Sequence, residues 1–200
     1  MARPADLKTK IFLDSGNPED TKAALSIMGF LDGQTTNPSL VAQYLESQKH
    51  VSADVKLSKE DVYEHYEDIV TEISNIIPNG SVSIEVYADL NTTSQDMLKE
   101  GTALFTWIHN AHIKFPITHN GLEAARLAVK NGIRVNMTLC FTQEQAAAVY
   151  SVTAKNDKIY TLDTFSQIFV SPFIGRLDDR GENGIDLVRK IWPMYNTAQS

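Results

Sequence analysis

Cysteine is nearly missing from this 200-residue chain; Cys140 is the only one. That excludes an internal disulfide and a cysteine-based zinc cage. No stretch approaches 18 consecutive apolar residues, and the opening MARPADLKTKIFLDSG lacks an apolar run of signal-peptide length. Without such a signal, Asn91-Thr92-Thr93 and Asn136-Met137-Thr138 carry no meaning as glycan acceptors. Basic charge is also short, with 18 Lys and Arg against 25 Asp and Glu and a formal net charge of −7. Non-specific nucleic-acid binders and anionic-membrane binders need clustered cations, so neither partner is expected. A single local basic site could still hold a small anion. There is no Walker loop and no Gly-x-Ser-x-Gly elbow, and LDSGNP stands where a dinucleotide-binding G-x-G-x-x-G would follow the first strand.

What is present is ordinary globular material, 42% hydrophobic and 22% charged, with no low-complexity tract. A soluble cytoplasmic domain occupying residues 1–200 is expected. Short apolar runs alternate with amphipathic segments. The strand candidates are Lys10–Asp14, Leu31–Thr35, Val82–Val86, Ala111–Phe115, Ile133–Thr138 and Gln167–Ser171. Nearly continuous apolar strands are those of a parallel sheet buried on both faces.

The helices between them have readable ends. Asn17 caps one, with Pro18 at its first position and Ala24, Ile27, Met28 and Leu31 along a face. A short helix begins near Ser39. Ser58 caps a longer one with a stripe of Val62, Tyr66, Ile69, Val70, Ile73 and Ile77, and Pro78-Asn79-Gly80 ends it. Gly132 stops a later helix, Thr142 with Gln145 reads as a capping box, and a last helix runs from about Ile185 to Trp192. Strand–helix alternation means parallel pairing with right-handed crossovers, either a (β/α) barrel or an open doubly wound sheet. Polar residues gather at strand C-termini: Asp14, Thr35, Asn37, Glu85, Lys114, Thr138 and Ser171. In a barrel those ends form the rim that carries active sites.

Lys114 interrupts an apolar strand and Pro116 is expected to stop the ladder just beyond it. Such a lysine is either a solvent-facing strand residue or an inward nucleophile, because burial favours the neutral amine that attacks carbonyls. Alternation sends Ile113 and Phe115 to the other face. Asp14 is a turn or cap carboxylate, or a general acid/base. Glu85 breaks an apolar run and needs a hydrogen-bonding or working role, and Thr138 could hold a water against it. Arg176 either grips a phosphate or carboxylate or pairs with Asp178 or Asp179. His109 and His112 do not read as metal ligands, His50, His65 and His119 read as surface or loop residues, and Cys140 reads as a core filler.

Six segments stand in order from about Lys10 to Asp186: Phe12-Leu13-Asp14, Thr35 to Ser39 (TTNPS), Ser83 to Val86 (SIEV), Lys114 to Thr118 (KFPIT) with Gly121-Leu122, Val135 to Thr138 (VNMT), and Ser171 to Arg176 (SPFIGR). Together they resemble the transaldolases and their fructose-6-phosphate aldolase relatives, class I enzymes of a (β/α)8 TIM barrel. The resemblance implies that Lys114 forms a Schiff base with a ketose and that Asp14 is the acid/base of carbon–carbon cleavage. It also implies that Glu85 and Thr138 position a catalytic water. Thr35, Asn37 and Ser171 would bind the three-carbon fragment, and Arg176 the phosphate.

Glu85 and Phe173 favour the transferase, since the aldolase relatives tend to carry Gln and Tyr there. The implied enzyme is a transaldolase of the pentose phosphate pathway. It would need no metal or organic cofactor, act on sugar phosphates and form a homo-oligomer. An aldolase releasing free dihydroxyacetone and a non-catalytic truncated barrel are the alternatives. Gln34 and Phe115 depart from the family pattern. The segment holding Lys155 to Lys158 is expected to be a surface excursion. About six βα units are counted where the barrel has eight, so the C-terminal strands and their phosphate contacts are expected to be missing.

Overall fold

The computed structural model describes residues 3–48, 58–154 and 168–199. Six parallel strands alternate with helices, and they follow one another along the sheet in chain order. They are β1 (Phe12–Asp14), β2 (Gly33–Thr35), β3 (Ser81–Glu85), β4 (Ala111–Pro116), β5 (Val135–Cys140) and β6 (Ile168–Pro172). The helices are α1 (Pro18–Met28), α2 (Pro38–Gln48), α3 (Lys59–Ile76), α4 (Ser94–Phe105), α5 (His119–Lys130), α6 (Gln143–Thr153), α7 (Ile174–Asp179) and α8 (Gly184–Gln199). The expected Lys155–Lys158 excursion, Gln167 and His50 lie outside the described residues. The chain divides into two compact units, Met1–Glu85 with Ala103–His112, and Val86–Thr102 with Ile113–Ser200.

In the first unit β1, β2 and β3 pair in parallel register, aligning Phe12, Gly33 and Ser81 at one level and Asp14, Thr35 and Ser83 two residues on. The expected stripe of α3 is buried in full, and the helix packs on β3. Each fully buried aliphatic side chain is worth about 1.5–3 kcal/mol relative to exposure. The Ser58 cap forms as a reciprocal box with Asp61, and Asn17 caps α1 by accepting from the Glu19 N–H.

One face is misread from sequence: Ile27 is 73% exposed. The side of α1 that turns inward is marked by Pro18 and Thr21, and Thr21 Oγ1 donates to the buried Gln34 Oε1 at 2.6 Å. Gln34 Nε2 in turn donates to the Ser15 carbonyl at 2.7 Å. The unusual Gln34 is therefore a satisfied core polar group that fixes α1 and the turn after β1, which is why α1 turns a threonine inward.

In the second unit β4 runs beside β5 with Ile113, Lys114, Phe115 and Pro116 opposite Val135, Asn136, Met137 and Thr138. Pro116 is the last residue of the strand, not a stop before its end, because the ladder continues past it through the Ile117 N–H to the Thr138 carbonyl at 3.0 Å. Phe115 is accommodated by a glycine on α4: a Cβ at Gly101 would lie 2.8 Å from Phe115 Cζ and 3.0 Å from Ile113 Cγ2.

Two helices differ from expectation. The segment after Ser171-Pro172 folds into α7, and α8 runs through Pro193 to Gln199 instead of ending at Trp192. Proline removes one helical hydrogen bond, which packing can offset. The far turns of α8 are held against α6 by Tyr195 Oη, which donates to the Ala146 carbonyl at 2.7 Å, and by Tyr150 Oη, which donates to that of Ala198 at 2.6 Å.

Candidate active site

The first unit supplies three strand-end groups. Asp14 closes β1 with its side chain exposed, and the Thr35 hydroxyl at the end of β2 donates to its Oδ1 at 2.6 Å. The parallel register that aligns Asp14 with Thr35 makes this bond, so the carboxylate is held in one orientation. Glu85 ends β3 half-buried, and its backbone N–H donates to Tyr66 Oη at 3.1 Å. Asn37 follows β2 and serves the next helix: its Oδ1 accepts the Leu40 N–H at 2.9 Å, capping α2 with Pro38 at the first helical position. Asn37 Nδ2 makes no hydrogen bond among the described residues.

The second unit supplies the lysine. Lys114 sits within β4 at 5% exposure, so the solvent-facing alternative does not hold. Ile113 and Phe115 point the other way, toward Gly101 of α4, and both are fully buried. Directly across the ladder is Asn136, 1% exposed, whose Oδ1 accepts the Ser171 hydroxyl of β6 at 2.7 Å. Thr138, two residues further on the same face of β5, is 1% exposed, and its Oγ1 has no hydrogen-bond partner among the described residues. Lysine, amide and hydroxyls from three adjacent strands thus share one face.

A bulge separates Thr138 from the end of β5. The register with β6 shifts between Met137 and Cys140, and Leu139 takes φ 64°, a left-handed conformation that costs a non-glycine residue about 1–2 kcal/mol. Such strain persists only where the surroundings enforce it.

Phe173 and Arg176 lie beyond β6. Phe173 is half-buried at the start of α7, its ring edge-on to Phe141 with centroids 5.4 Å apart. Arg176 is exposed on α7 and faces Asp179 at 3.6 Å, the ion-pair alternative, while Asp178 accepts the Gly184 N–H at 2.8 Å. At that separation and exposure the pair contributes little.

Two residues on the polar faces escape a reading that looks for charges. Ser83, fully buried, is aligned with Thr35, and Asn136 with Lys114. The signal that finds them is the strand period: each stands two residues before a marked group, Glu85 and Thr138.

Among the histidines, His112 is buried with Nδ1 2.7 Å from Ser81 Oγ, and His109 Nε2 lies 2.8 Å from the Pro78 carbonyl. His65 and His119 are exposed. Burial pushes the Cys140 thiol up, keeping it protonated and inert. Among the described residues no cluster of His, Cys, Asp and Glu could hold a metal, and no helix is long and apolar enough to cross a membrane.

The chain is similar to known proteins over nearly its whole length. The family model for Transaldolase/Fructose-6-phosphate aldolase matches residues 11–200. A protein of Dehalococcoides mccartyi described as "Probable transaldolase" is 36% identical over 186 residues, 93% of this chain and 70% of that protein. Proteins with the same description from Geobacillus sp. and Bartonella henselae are 37% and 34% identical over 187 residues, 94% of this chain and 71% and 70% of theirs. One family model thus covers nearly the whole length of a chain of six parallel strands joined by helices, and the chain belongs to the transaldolase/fructose-6-phosphate aldolase family, with the (β/α) barrel architecture of that family.

Proposed function

We propose that this chain is a transaldolase that moves a dihydroxyacetone unit from a ketose phosphate to an aldose phosphate through a Schiff base on Lys114. The observation that carries the reading is the burial of that lysine on a strand face shared with Asn136, Thr138 and Ser171. An amine with little water around it can meet a carbonyl without competing solvent, and lysine is the side chain that forms Schiff bases with carbonyl substrates.

In this reading Lys114 Nζ adds to the ketose C2 carbonyl, and loss of water gives the protonated imine. Asp14, held by Thr35, takes the proton of the C4 hydroxyl as the C3–C4 bond breaks, and the bonding pair passes into the imine as an enamine. The shortened aldose phosphate leaves. An acceptor aldehyde then reacts with the enamine carbon, Asp14 returns the proton to the new alkoxide, and water hydrolyses the imine. The water that enters and leaves is assigned to Glu85 and Thr138. A buried Thr138 hydroxyl with no partner among the described residues supports that role, since such a group is costly unless something occupies it. Thr35, Asn37, Asn136 and Ser171 supply hydrogen bonds to the three-carbon fragment, with Phe173 and Arg176 toward the distal phosphate.

Borohydride trapping with fructose 6-phosphate and peptide mapping tests the proposal. A reduced three-carbon adduct on Lys114, and none in Lys114→Ala, is expected; a folded protein that forms no adduct overturns it. Release of free dihydroxyacetone without an acceptor would assign the aldolase activity instead.

A further inference from the structure

Tyr66 belongs to the apolar stripe of α3, where a phenylalanine would fill the same space, yet it carries a hydroxyl at 0% residue exposure. Burying a hydroxyl is unfavourable unless its hydrogen bonds are made. Here they are made to strand ends. Glu85 N–H donates to Tyr66 Oη at 3.1 Å, Tyr66 Oη lies 2.7 Å from Thr36 Oγ1, and Thr36 Oγ1 donates to the Ser83 carbonyl at 2.7 Å. Because the single Thr36 hydroxyl hydrogen is committed to Ser83, the phenol hydrogen points at Thr36 and a phenol lone pair faces Glu85. The Thr36 N–H reaches the same Ser83 carbonyl at 3.1 Å. The ring cannot swing away, since Tyr63 and Trp107 both lie edge-on with centroids 6.0 Å from it.

A one-directional chain of hydrogen bonds thus ties the backbone of Glu85 to Thr36, the residue between Thr35 and Asn37. We propose that Tyr66 is a positioning residue for the imine-forming and imine-hydrolysing steps. Its hydroxyl fixes the end of β3 so that the Glu85 carboxylate is aimed at the water it handles. This rests on the assignment of Glu85 made above.

The test uses the full chain with Tyr66→Phe, Glu85→Gln and their combination, measured as kcat, KM and the rate of borohydride-trappable adduct formation. Tyr66→Phe should keep the fold and KM but lower kcat and the trapping rate about tenfold, the size of one hydrogen bond. The combined variant should be no slower than Glu85→Gln alone, since both act on one step. Thr36→Val should reproduce the loss and Thr36→Ser should not, which holds the test open should Tyr66→Phe fold poorly. Wild-type kcat in Tyr66→Phe, losses that multiply in the combination, or a loss that only follows a lowered Tm with raised KM would overturn the proposal. Full activity of Glu85→Gln beside normal Lys114 trapping would instead remove the Glu85 assignment, and the Tyr66 role with it. Absence of any wild-type adduct would remove both at the earlier, Schiff-base stage.

Discussion

In the unit built on β1, β2 and β3, Asp14 is bound by Thr35, Asn37 Oδ1 is spent on α2 and the Glu85 backbone is tied to Tyr66. In the unit built on β4, β5 and β6, Lys114 is held in an apolar strand, Thr138 Oγ1 is buried without a hydrogen-bond partner among the described residues and Leu139 is strained. The first unit orients the groups assigned to proton handling with polar networks that also stabilise the fold. The second accepts local cost around the amine. The contrast follows from the chemistry assigned to each. A carboxylate assigned to handle a proton gains from a fixed orientation, whereas an amine assigned to attack a carbonyl gains from surroundings with little competing water.

The largest expected effect is on the dry side: Lys114→Ala should lower transaldolase turnover by at least about a thousandfold. Appreciable residual turnover in a coupled assay would break the comparison outright. On the networked side, Gln34→Leu leaves the Thr21 hydroxyl and the Ser15 carbonyl without their buried partner and should cost about 2–4 kcal/mol in urea unfolding. A loss below that range would mean the network orders the chain without stabilising it. Gly101→Ala forces a methyl against Phe115 and should cost about 1–3 kcal/mol, with Phe115→Leu in the same chain recovering part of it. Additive losses would show that Phe115 is not what requires the glycine.

The smallest stability effect is expected at Thr138→Val, less than about 1 kcal/mol, because the hydroxyl removed has no partner among the described residues. Its kcat should nevertheless fall about tenfold, with the imine steps slowed, as for the loss of one hydrogen bond. A stability loss comparable to that of Gln34→Leu would erase the distinction between the two regions.

How much of this could be read from sequence depended on contrast within a strand. A charge inside an apolar run stands out, which is why Lys114 and Glu85 are visible, and helix caps such as Asn17, Ser58 and Thr142 announce themselves by side-chain chemistry. Ser83 and Asn136 do not stand out, because uncharged polar residues are common in strands and only the ladder shows what they face. Ile27 misleads for a related reason. Helical spacing marks a face, but the Thr21–Gln34 hydrogen bond decides which side of α1 turns inward. The helical state of Ile174–Asp179 and the continuation of α8 through Pro193 rest on neighbours outside any local window, Asp178 with Gly184 in one case and Tyr195 with Ala146 in the other.

The irregularity at Leu139 bears on how β5 keeps its alignment. A strand's faces exchange with every one-residue slip, so a sliding β5 would turn Asn136 and Thr138 away from the lysine side and bring Met137 there. A bulge acts as a ratchet tooth against such sliding, because the extra residue fits the neighbouring strand at one position only. The conformational tension at Leu139 would then be what locks the frame in which the amine, the amide and the hydroxyl face the same way.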